Sequence, residues 1–207
     1  MGFIINSFRF AVTFTPWDIS NASYDNVSLD VSGEEGNAAG VTFSSDGTKM
    51  YMVGTFSDSV HQYSLTAWDL STASYDSVSH DVSGEEGAAQ GVVFSADGTK
   101  MYVTGSGTDA VYQYSLLTAW DLSTASYDSV SHDVSGEDGL PTGLAFSSDG
   151  TKMYIMGGAT GTVYQYSLTA WDLSTASYDN VSFSVESEDL NHKEVAFSAD
   201  GTKMYMA

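Results

Sequence analysis

The sequence contains no cysteine, and only six of its 207 residues are lysine or arginine. Without cysteine the chain cannot be stabilised by disulfides or hold a metal through thiolates. The cysteine content therefore indicates neither an oxidising nor a reducing compartment. Its 27 acidic residues give a formal net charge of -21. A polyanion or an anionic membrane surface is bound through a basic surface. The composition therefore predicts neither a nucleic-acid partner nor a membrane partner.

The sequence also lacks a helical period and the common catalytic motifs. Apolar residues recur with a period of two, and there is no Gly-x-Ser-x-Gly elbow, His-Glu-x-x-His pair or glycine-rich phosphate loop between a strand and a helix. The apolar run Gly2–Phe14 contains Arg9 and no small-residue cleavage site. It is therefore predicted to be a strand and not a signal peptide. With 42% hydrophobic residues, the chain is expected to be a soluble globular protein.

What is present is one pattern repeated four times. The phrase Phe-Ser-x-Asp-Gly-Thr-Lys-Met-Tyr recurs every 51 residues, with one extra residue in the third copy, at Leu116-Leu117. A fixed period near 50 residues indicates a repeat architecture. The four copies of this phrase are Phe43–Tyr51, Phe94–Tyr102, Phe146–Tyr154 and Phe197–Tyr205.

Each repeat is predicted to hold four antiparallel strands. Within Gln90–Tyr114, three apolar runs are separated by the turn Asp97-Gly98 and by a glycine-rich break, and Asp-Gly between apolar strands indicates a hairpin. A loop or helical turn capped by Asp121 or Ser123 follows, and the fourth strand is expected over Tyr127–Val134. Four-stranded sheets repeated without helices predict an all-β fold, a β-propeller with four blades per chain in a single domain over residues 1–207.

The phrase Gly-Val-x-Phe-Ser-x-Asp-Gly-Thr-Lys-Met-Tyr-Val, followed by Val-Tyr-Gln-Tyr, resembles the lactonase-like, Tyr-Val-Thr-Asn-type propeller repeat. The phrase Trp-Asp-Leu-Ser-Thr-Ala-Ser-Tyr-Asp is similar to repeat arrays of phage and marine bacterial proteins. The resemblance covers about Phe8–Met206 and implies the propeller fold. It implies no single function, because propellers serve in binding, scaffolding and catalysis.

The first and last copies are incomplete in complementary ways. The last copy stops after its second strand, at Met204–Met206, whereas Phe10–Phe14 aligns with the third strand Tyr164–Leu168. Pairing the N-terminal outer strands with the C-terminal inner strands would complete a blade and remove two free sheet edges. We expect a homodimer that forms an eight-bladed ring, in preference to a four-bladed monomer.

Paired acids precede each innermost strand, on the face where the channel opens. They are predicted to form an acidic collar that could bind calcium or another hard cation through oxygen ligands. Their loops lack the alternating Asp/Asn pattern of a dedicated calcium loop, so no cofactor is required. The collar residues are Glu34, Glu35, Glu85, Glu86, Glu137, Asp138, Glu188 and Asp189.

Four tryptophans recur at equivalent positions. They could stack on sugar rings, or each could fill the edge between two blades with its indole nitrogen bonded to a carbonyl. The tryptophans are Trp17, Trp68, Trp120 and Trp171.

The histidines give little evidence of chemistry. His80 and His132 are aligned with Leu29 and Phe183, which indicates a packing position. Only His192 lies in a connection unlike its counterparts.

These features favour a non-enzymatic binding or structural module, such as a virion-surface or cell-surface interaction protein with a protein or glycan partner. One alternative is a glycan-binding lectin with a site in each blade, which the tryptophans would serve. The other is a metal-dependent lactonase-type hydrolase, which the family resemblance implies. An enzyme of that kind would need a cluster of residues that differs from repeat to repeat, and none is evident.

Overall fold

The computed structural model of the chain describes residues 4–10, 22–187 and 191–206. These residues form antiparallel strands joined by turns, and their one helical element is a 3₁₀ turn at Leu122–Thr124. Over the same ranges no helix is long and apolar enough to cross a membrane.

Three complete blades occupy the middle of the chain. Each is a four-stranded antiparallel sheet whose strands follow one another in chain order. The strands of the first blade are β3 (Ala38–Phe43), β4 (Lys49–Gly54), β5 (Ser59–Thr66) and β6 (Asp69–Asp81). Those of the second are β7 (Ala89–Phe94), β8 (Lys100–Gly105), β9 (Ala110–Leu116) and β10 (Ala125–Asp133). Those of the third are β11 (Pro141–Phe146), β12 (Lys152–Gly157), β13 (Thr162–Thr169) and β14 (Asp172–Ser184).

A half-blade lies at each end of the described chain. The N-terminal half-blade pairs β1 (Ile4–Phe10) with β2 (Ala22–Asp30), and the C-terminal half-blade pairs β15 (Val195–Phe197) with β16 (Met204–Met206). Repeated four-stranded sheets and the half-blades confirm the predicted all-β propeller fold. The two half-blades are separate two-stranded sheets, so the ring-closing pairing between them is not made by the described strands of one chain. That pairing stays a prediction.

The Asp-Gly turn joins the first two strands of each complete blade. In the second blade Gly98 has a φ of 73°, a conformation that glycine adopts without steric cost. Asp97 accepts hydrogen bonds from the Ser95 hydroxyl and from both the backbone N–H and the hydroxyl of Thr99. These hydrogen bonds, with that from Ser95 the largest contribution, hold the pKa of Asp97 below its usual range. The repeated phrase thus encodes its own hairpin.

A lysine in each complete blade ties together its three outer strands. The Lys100 ammonium lies 2.8 Å from Asp128 and 2.8 Å from the Ser115 hydroxyl, and Gln113 also donates to Asp128 at 2.8 Å. The same ion pair joins Lys49 to Asp76 and Lys152 to Asp179. Most lysines of this acidic chain are therefore engaged inside the blades.

Neighbouring blades pack through their faces, and we call each packed face a seam. The innermost strands β3, β7, β11 and β15 contact one another in that order. Glycine permits their close approach, because a Cβ on Gly40 would lie 2.5 Å from the Gln90 carbonyl oxygen. The hydrophobic core lies in the seams, where residues of two blades form each large cluster.

Two local expectations need correction. The third-strand segment of the N-terminal half-blade is Ile4–Phe10 and not Phe10–Phe14, because Phe8 pairs with Tyr24 as Tyr63 pairs with Tyr75. Residues 11–14 lie outside the described ranges. The predicted capped turn at Asp121 is confirmed, since its carboxylate accepts from the Ser123 N–H. In the first and third blades, however, the corresponding segment belongs to the long outer strands β6 and β14.

Candidate active site

The second acid of each described pair clamps two loops of its own blade together. Glu86 is fully buried, and its carboxylate accepts hydrogen bonds from the Gly107 N–H at 2.7 Å and the Thr108 hydroxyl at 2.7 Å. Asp138 makes the same contacts with Thr160. Burial opposes ionisation of Glu35, but hydrogen bonds from Ser57 and neighbouring backbone groups outweigh it and hold its pKa below the usual range. These acids therefore stabilise the loops that they join.

The first acid of each pair is bonded to a tyrosine. Glu34, Glu85 and Glu137 are half-buried, and each accepts a hydrogen bond from the hydroxyl of a third-strand tyrosine. Within the described ranges no three acidic, histidine or cysteine side chains come together as a metal site. The described members of the predicted collar therefore form no such group of three, and cation binding by the collar stays a prediction. Glu188 and Asp189 lie outside the described ranges.

Two described tryptophans, Trp120 and Trp171, lie in the seams, as the packing alternative predicted, whereas Trp68 is 63% exposed. Trp120 and Trp171 are partly buried, and their backbone carbonyls accept hydrogen bonds from Tyr51 and Tyr102 of the preceding blade. The bonded group is the carbonyl and not the expected indole nitrogen. Each ring also covers the glycine of its own Asp-Gly turn. Packing against protein leaves little of these two rings for a sugar, and Trp17 lies outside the described ranges.

The histidines of the outer strands are packing residues, as expected. His80 contacts the edge of Tyr114 in the next blade, with ring centroids 5.3 Å apart, and His132 contacts Tyr166 in the same way at 5.4 Å. Burial lowers the pKa of both histidines. Burial therefore favours the neutral form of both rings, which suits a packing position.

A cleft with a volume of about 460 Å³ lies at the seam between the first and second blades. Its acids are already used by the fold, because Asp46 accepts from the Thr48 N–H and Asp121 accepts from the Ser123 N–H. The cleft offers no unused acid or base. Its size alone does not make it a reaction site.

One acid has no counterpart in the other repeats. Glu194 stands immediately before β15, where the three complete blades have Gly40, Gly91 and Gly143. Those glycines lie where the innermost strands come closest. Glu194 thus places a carboxyl group in the innermost row of the propeller, at the seam between the third blade and the C-terminal half-blade.

The surroundings of Glu194 change its acidity. The side chain packs against Gly143, where an added Cβ would lie 3.1 Å from the Glu194 carboxylate oxygen. Burial raises the pKa of Glu194 to about 7, although the backbone N–H groups of Val195 and Leu144 favour the ionised form. A carboxyl group with this pKa can accept and return a proton near neutral pH.

The segment that carries Glu194 is fixed by the third blade. The Thr142 hydroxyl donates to the His192 carbonyl at 3.0 Å, and the His192 side chain is buried beside Gly161. The His192 Nε2 atom is buried with no hydrogen-bond partner in the described structure. We call Thr142, His192, Lys193 and Glu194 the Glu194 cluster. It combines a positioned carboxyl group with an imidazole nitrogen that is free to take part in hydrogen bonding.

The sequence pattern indicated the unusual connection that contains His192, but Glu194 was not predicted. The signal was present, because glutamate replaces a glycine that recurs in the three other repeats. The burial of the Glu194 side chain could not be predicted from the sequence, since it depends on how closely β15 approaches β11.

No protein-family model and no curated protein matches the chain. Solved structures do match. The periplasmic gluconolactonase PpgL of Pseudomonas aeruginosa is similar over 82% of this chain and 46% of its own, with 19% identity and a TM-score of 0.56. A Bacteroides uniformis protein proposed to be a 6-phosphogluconolactonase matches over 79% and 48%, with 14% identity and a TM-score of 0.56.

A third similar structure is the β-propeller domain of Swd1 from Myceliophteria thermophila, over 82% of this chain and 49% of that one, with 11% identity and a TM-score of 0.53. The chain thus spans about half the length of the solved structures that it matches. The expectation of a non-enzymatic binding or structural module is contradicted, because lactonases recur among these neighbours. The chain has the β-propeller fold that is also found in lactonase-like proteins.

Proposed function

We propose that the chain is a lactonase-type hydrolase in which Glu194 is the general base. The observation that carries this proposal is the Glu194 carboxyl group, which is unique among the repeats and has a pKa raised to about 7 by burial. A general base is most effective when its pKa lies near the working pH. The similarity of the fold to that of lactonases suggests the reaction class.

The reaction needs one proton to be moved twice. The Glu194 carboxylate accepts a proton from a water molecule as the water oxygen bonds to the lactone carbonyl carbon. The resulting tetrahedral intermediate breaks its ring C–O bond, and protonated Glu194 returns the proton to the leaving alkoxide oxygen. Lactone and water give the open hydroxy acid, and the carboxylate is regenerated.

The charge of the chain favours an uncharged lactone. Its formal net charge is -21, and the lysines of the complete blades are held in ion pairs with aspartates. A phosphorylated lactone would need free cationic groups to offset its charge. We therefore propose a neutral sugar lactone and not its phosphate ester as the substrate.

The metal that the resemblance to metal-dependent lactonases implied does not fit the described residues. They contain no group of three acidic, histidine or cysteine side chains that could hold a metal. The proposed proton transfer accordingly uses Glu194 alone. Similarity to the repeat arrays of phage and marine bacterial proteins stays a prediction about the origin of the chain.

Steady-state hydrolysis of glucono-δ-lactone tests the proposal, with acid release measured and the spontaneous rate subtracted. We expect the wild-type chain to open the lactone and Glu194→Gln to lower kcat/KM by about 10²- to 10⁴-fold. Glu186→Gln changes an exposed acid nearby and is expected to keep full activity. Absence of hydrolysis above the spontaneous rate across neutral lactones, or an equally active Glu194→Gln variant, would refute the proposal.

A further inference from the structure

The two seams between complete blades are built from the same contacts. Each seam has the tyrosine–tryptophan hydrogen bond and a second one. In the second, the side-chain oxygen of a glutamine in one blade accepts a hydrogen bond from the backbone N–H of a leucine in the next blade, two residues after the tryptophan. These pairs are Gln62 with Leu122 at 2.8 Å and Gln113 with Leu173 at 2.9 Å. Each complete seam also stacks a tyrosine, a phenylalanine and a tryptophan, such as Tyr51, Phe94 and Trp120.

The C-terminal end presents one half of such a seam. Tyr154 and Phe197 stack with ring centroids 4.3 Å apart, but no described tryptophan joins them. Phe183, at the position of His80 and His132, is 62% exposed. Beside it lies a cavity of about 210 Å³ lined by Gln165, Phe183 and Met204, among others.

The N-terminal end presents the other half. Phe43 contacts Trp68, but no described tyrosine completes the trio, and Trp68 is 63% exposed whereas Trp120 is only partly exposed. The inner edge of the first blade borders a cavity of about 150 Å³ lined by residues that include Ile5 and Met52. The missing tyrosine corresponds to Tyr205, whose hydroxyl oxygen is buried without a hydrogen-bond partner in the described structure.

The unpaired edges of β1 and β16 also match the edges that pair inside a complete blade. In the first blade Met50 pairs with Tyr63 and Met52 with His61. By strand register, Met204 and Met206 correspond to Met50 and Met52. Phe8 and Asn6 correspond in the same way to Tyr63 and His61. Each half-blade therefore carries what the other requires.

We propose that the partner for these edges is a second copy of this chain, and that two copies close one ring. β16 of each copy pairs with β1 of the other, so that six complete blades and two composite blades give an eight-bladed propeller. The two half-blades favour two copies over self-closure, because their strands form separate two-stranded sheets and do not pair with each other within one chain. A second copy supplies the other half and leaves no free sheet edge.

Two contacts define the composite seams. The Tyr205 hydroxyl donates to the Trp68 carbonyl of the second copy. Phe183 packs at the position where His80 contacts Tyr114, and there the register of the second copy supplies Phe8.

Solution mass and a designed disulfide test the proposal. Sedimentation equilibrium should give twice the 22.0 kDa mass of the chain. Phe183→Asp changes an exposed edge residue, so it should fold but sediment as a single chain. The matched control Leu117→Asp changes a side chain that is 93% exposed away from the seams and should remain a dimer.

The disulfide separates two copies from self-closure. The chain has no cysteine, so separate Asn6→Cys and Met206→Cys variants can be mixed, refolded together and oxidised. We expect a covalent dimer from the mixture and little from either variant alone. A wild-type mass of one chain, a dimeric Phe183→Asp variant, or an intramolecular disulfide in the double variant without a covalent dimer would overturn the proposal.

Discussion

The hydroxyl of Tyr102 donates a hydrogen bond of 2.6 Å to the backbone carbonyl of Trp171, across the seam between the second and third blades. The two residues belong to the two recurrent phrases of neighbouring repeats. One phrase supplies the second strand of a blade, and the other supplies the outer edge of the next blade. The repeat therefore encodes the joining of blades as well as the blades themselves.

Tyr102→Phe should remove this bond and leave the Trp171 carbonyl without its partner. Because Tyr102 is fully buried, we expect the free energy of unfolding to fall by about 1–3 kcal/mol. Urea denaturation followed by tryptophan fluorescence measures the change. Tyr112→Phe is the control, since its hydroxyl bonds to the Thr108 side chain within one blade, and the change there should stay within about 0.5 kcal/mol. Equal losses in the two variants would contradict this role of the seam.

Gly98→Ala should destabilise the chain through its contact with Trp120. The glycine has a φ of 73°, and an added Cβ would clash with the Trp120 ring. The left-handed conformation and the displaced ring together should cost at least about 2 kcal/mol, measured by thermal unfolding. Gly84→Ala meets no atom within 4 Å and should be nearly neutral. A stable Gly98→Ala variant would mean that the ring does not lie over this turn.

Glu86→Gln should destabilise the chain more than Glu85→Gln. The fully buried Glu86 carboxylate holds the loop Gly107–Thr108, and bonds to a charged acceptor are stronger than neutral ones. We expect a loss of about 2–3 kcal/mol for Glu86→Gln. For Glu85→Gln, whose carboxylate accepts one hydrogen bond of 3.3 Å from Tyr114, the loss should stay below about 1 kcal/mol. The reverse order in chemical denaturation would favour the cation-binding collar over the loop clamp.

Much of this fold could be predicted from the sequence because the same pattern of strands and turns recurs in four repeats. The Asp97-Gly98 turn, the two-residue period and the recurring tryptophans each predict one local feature, and the structure agrees. The register of β1 could not be obtained from the Trp17 phrase, because the connection after Phe10 differs in length from the one after Leu65. Strand pairing fixes that register, and pairing is not a local property.

The candidate site was predicted less well, for a physical reason. Paired acids looked exposed in the sequence, but Glu35, Glu86 and Asp138 are buried because the backbone N–H groups of a distant loop converge on them. Glu194 was not predicted as a site residue, although it replaces a glycine that recurs in the other repeats. Its raised pKa arises from contact with β11, which only the packing of two blades produces.

Glu194→Gln should stabilise the chain at alkaline pH. Burial raises the folded-state pKa of Glu194 from 4.5 to about 7, so its contribution to stability is full below pH 4.5 and is lost as the pH rises through 7. Removing this titration should make the variant more stable than wild type at pH 8 by up to about 3 kcal/mol, with a smaller difference at pH 5. Thermal unfolding at both pH values measures this difference, and Glu186→Gln is the control. A difference that does not change with pH would mean that the carboxyl group is not buried.

The pH dependence of lactone opening tests the role of Glu194 most directly. After subtraction of the spontaneous rate, kcat/KM of the wild-type chain for glucono-δ-lactone should rise with pH and level off, with an apparent pKa of about 7 for Glu194. Glu194→Gln should lose both the inflection and most of the rate. An inflection near the ordinary glutamate pKa of about 4.3, or an unchanged profile in Glu194→Gln, would contradict the assignment of Glu194 as the general base.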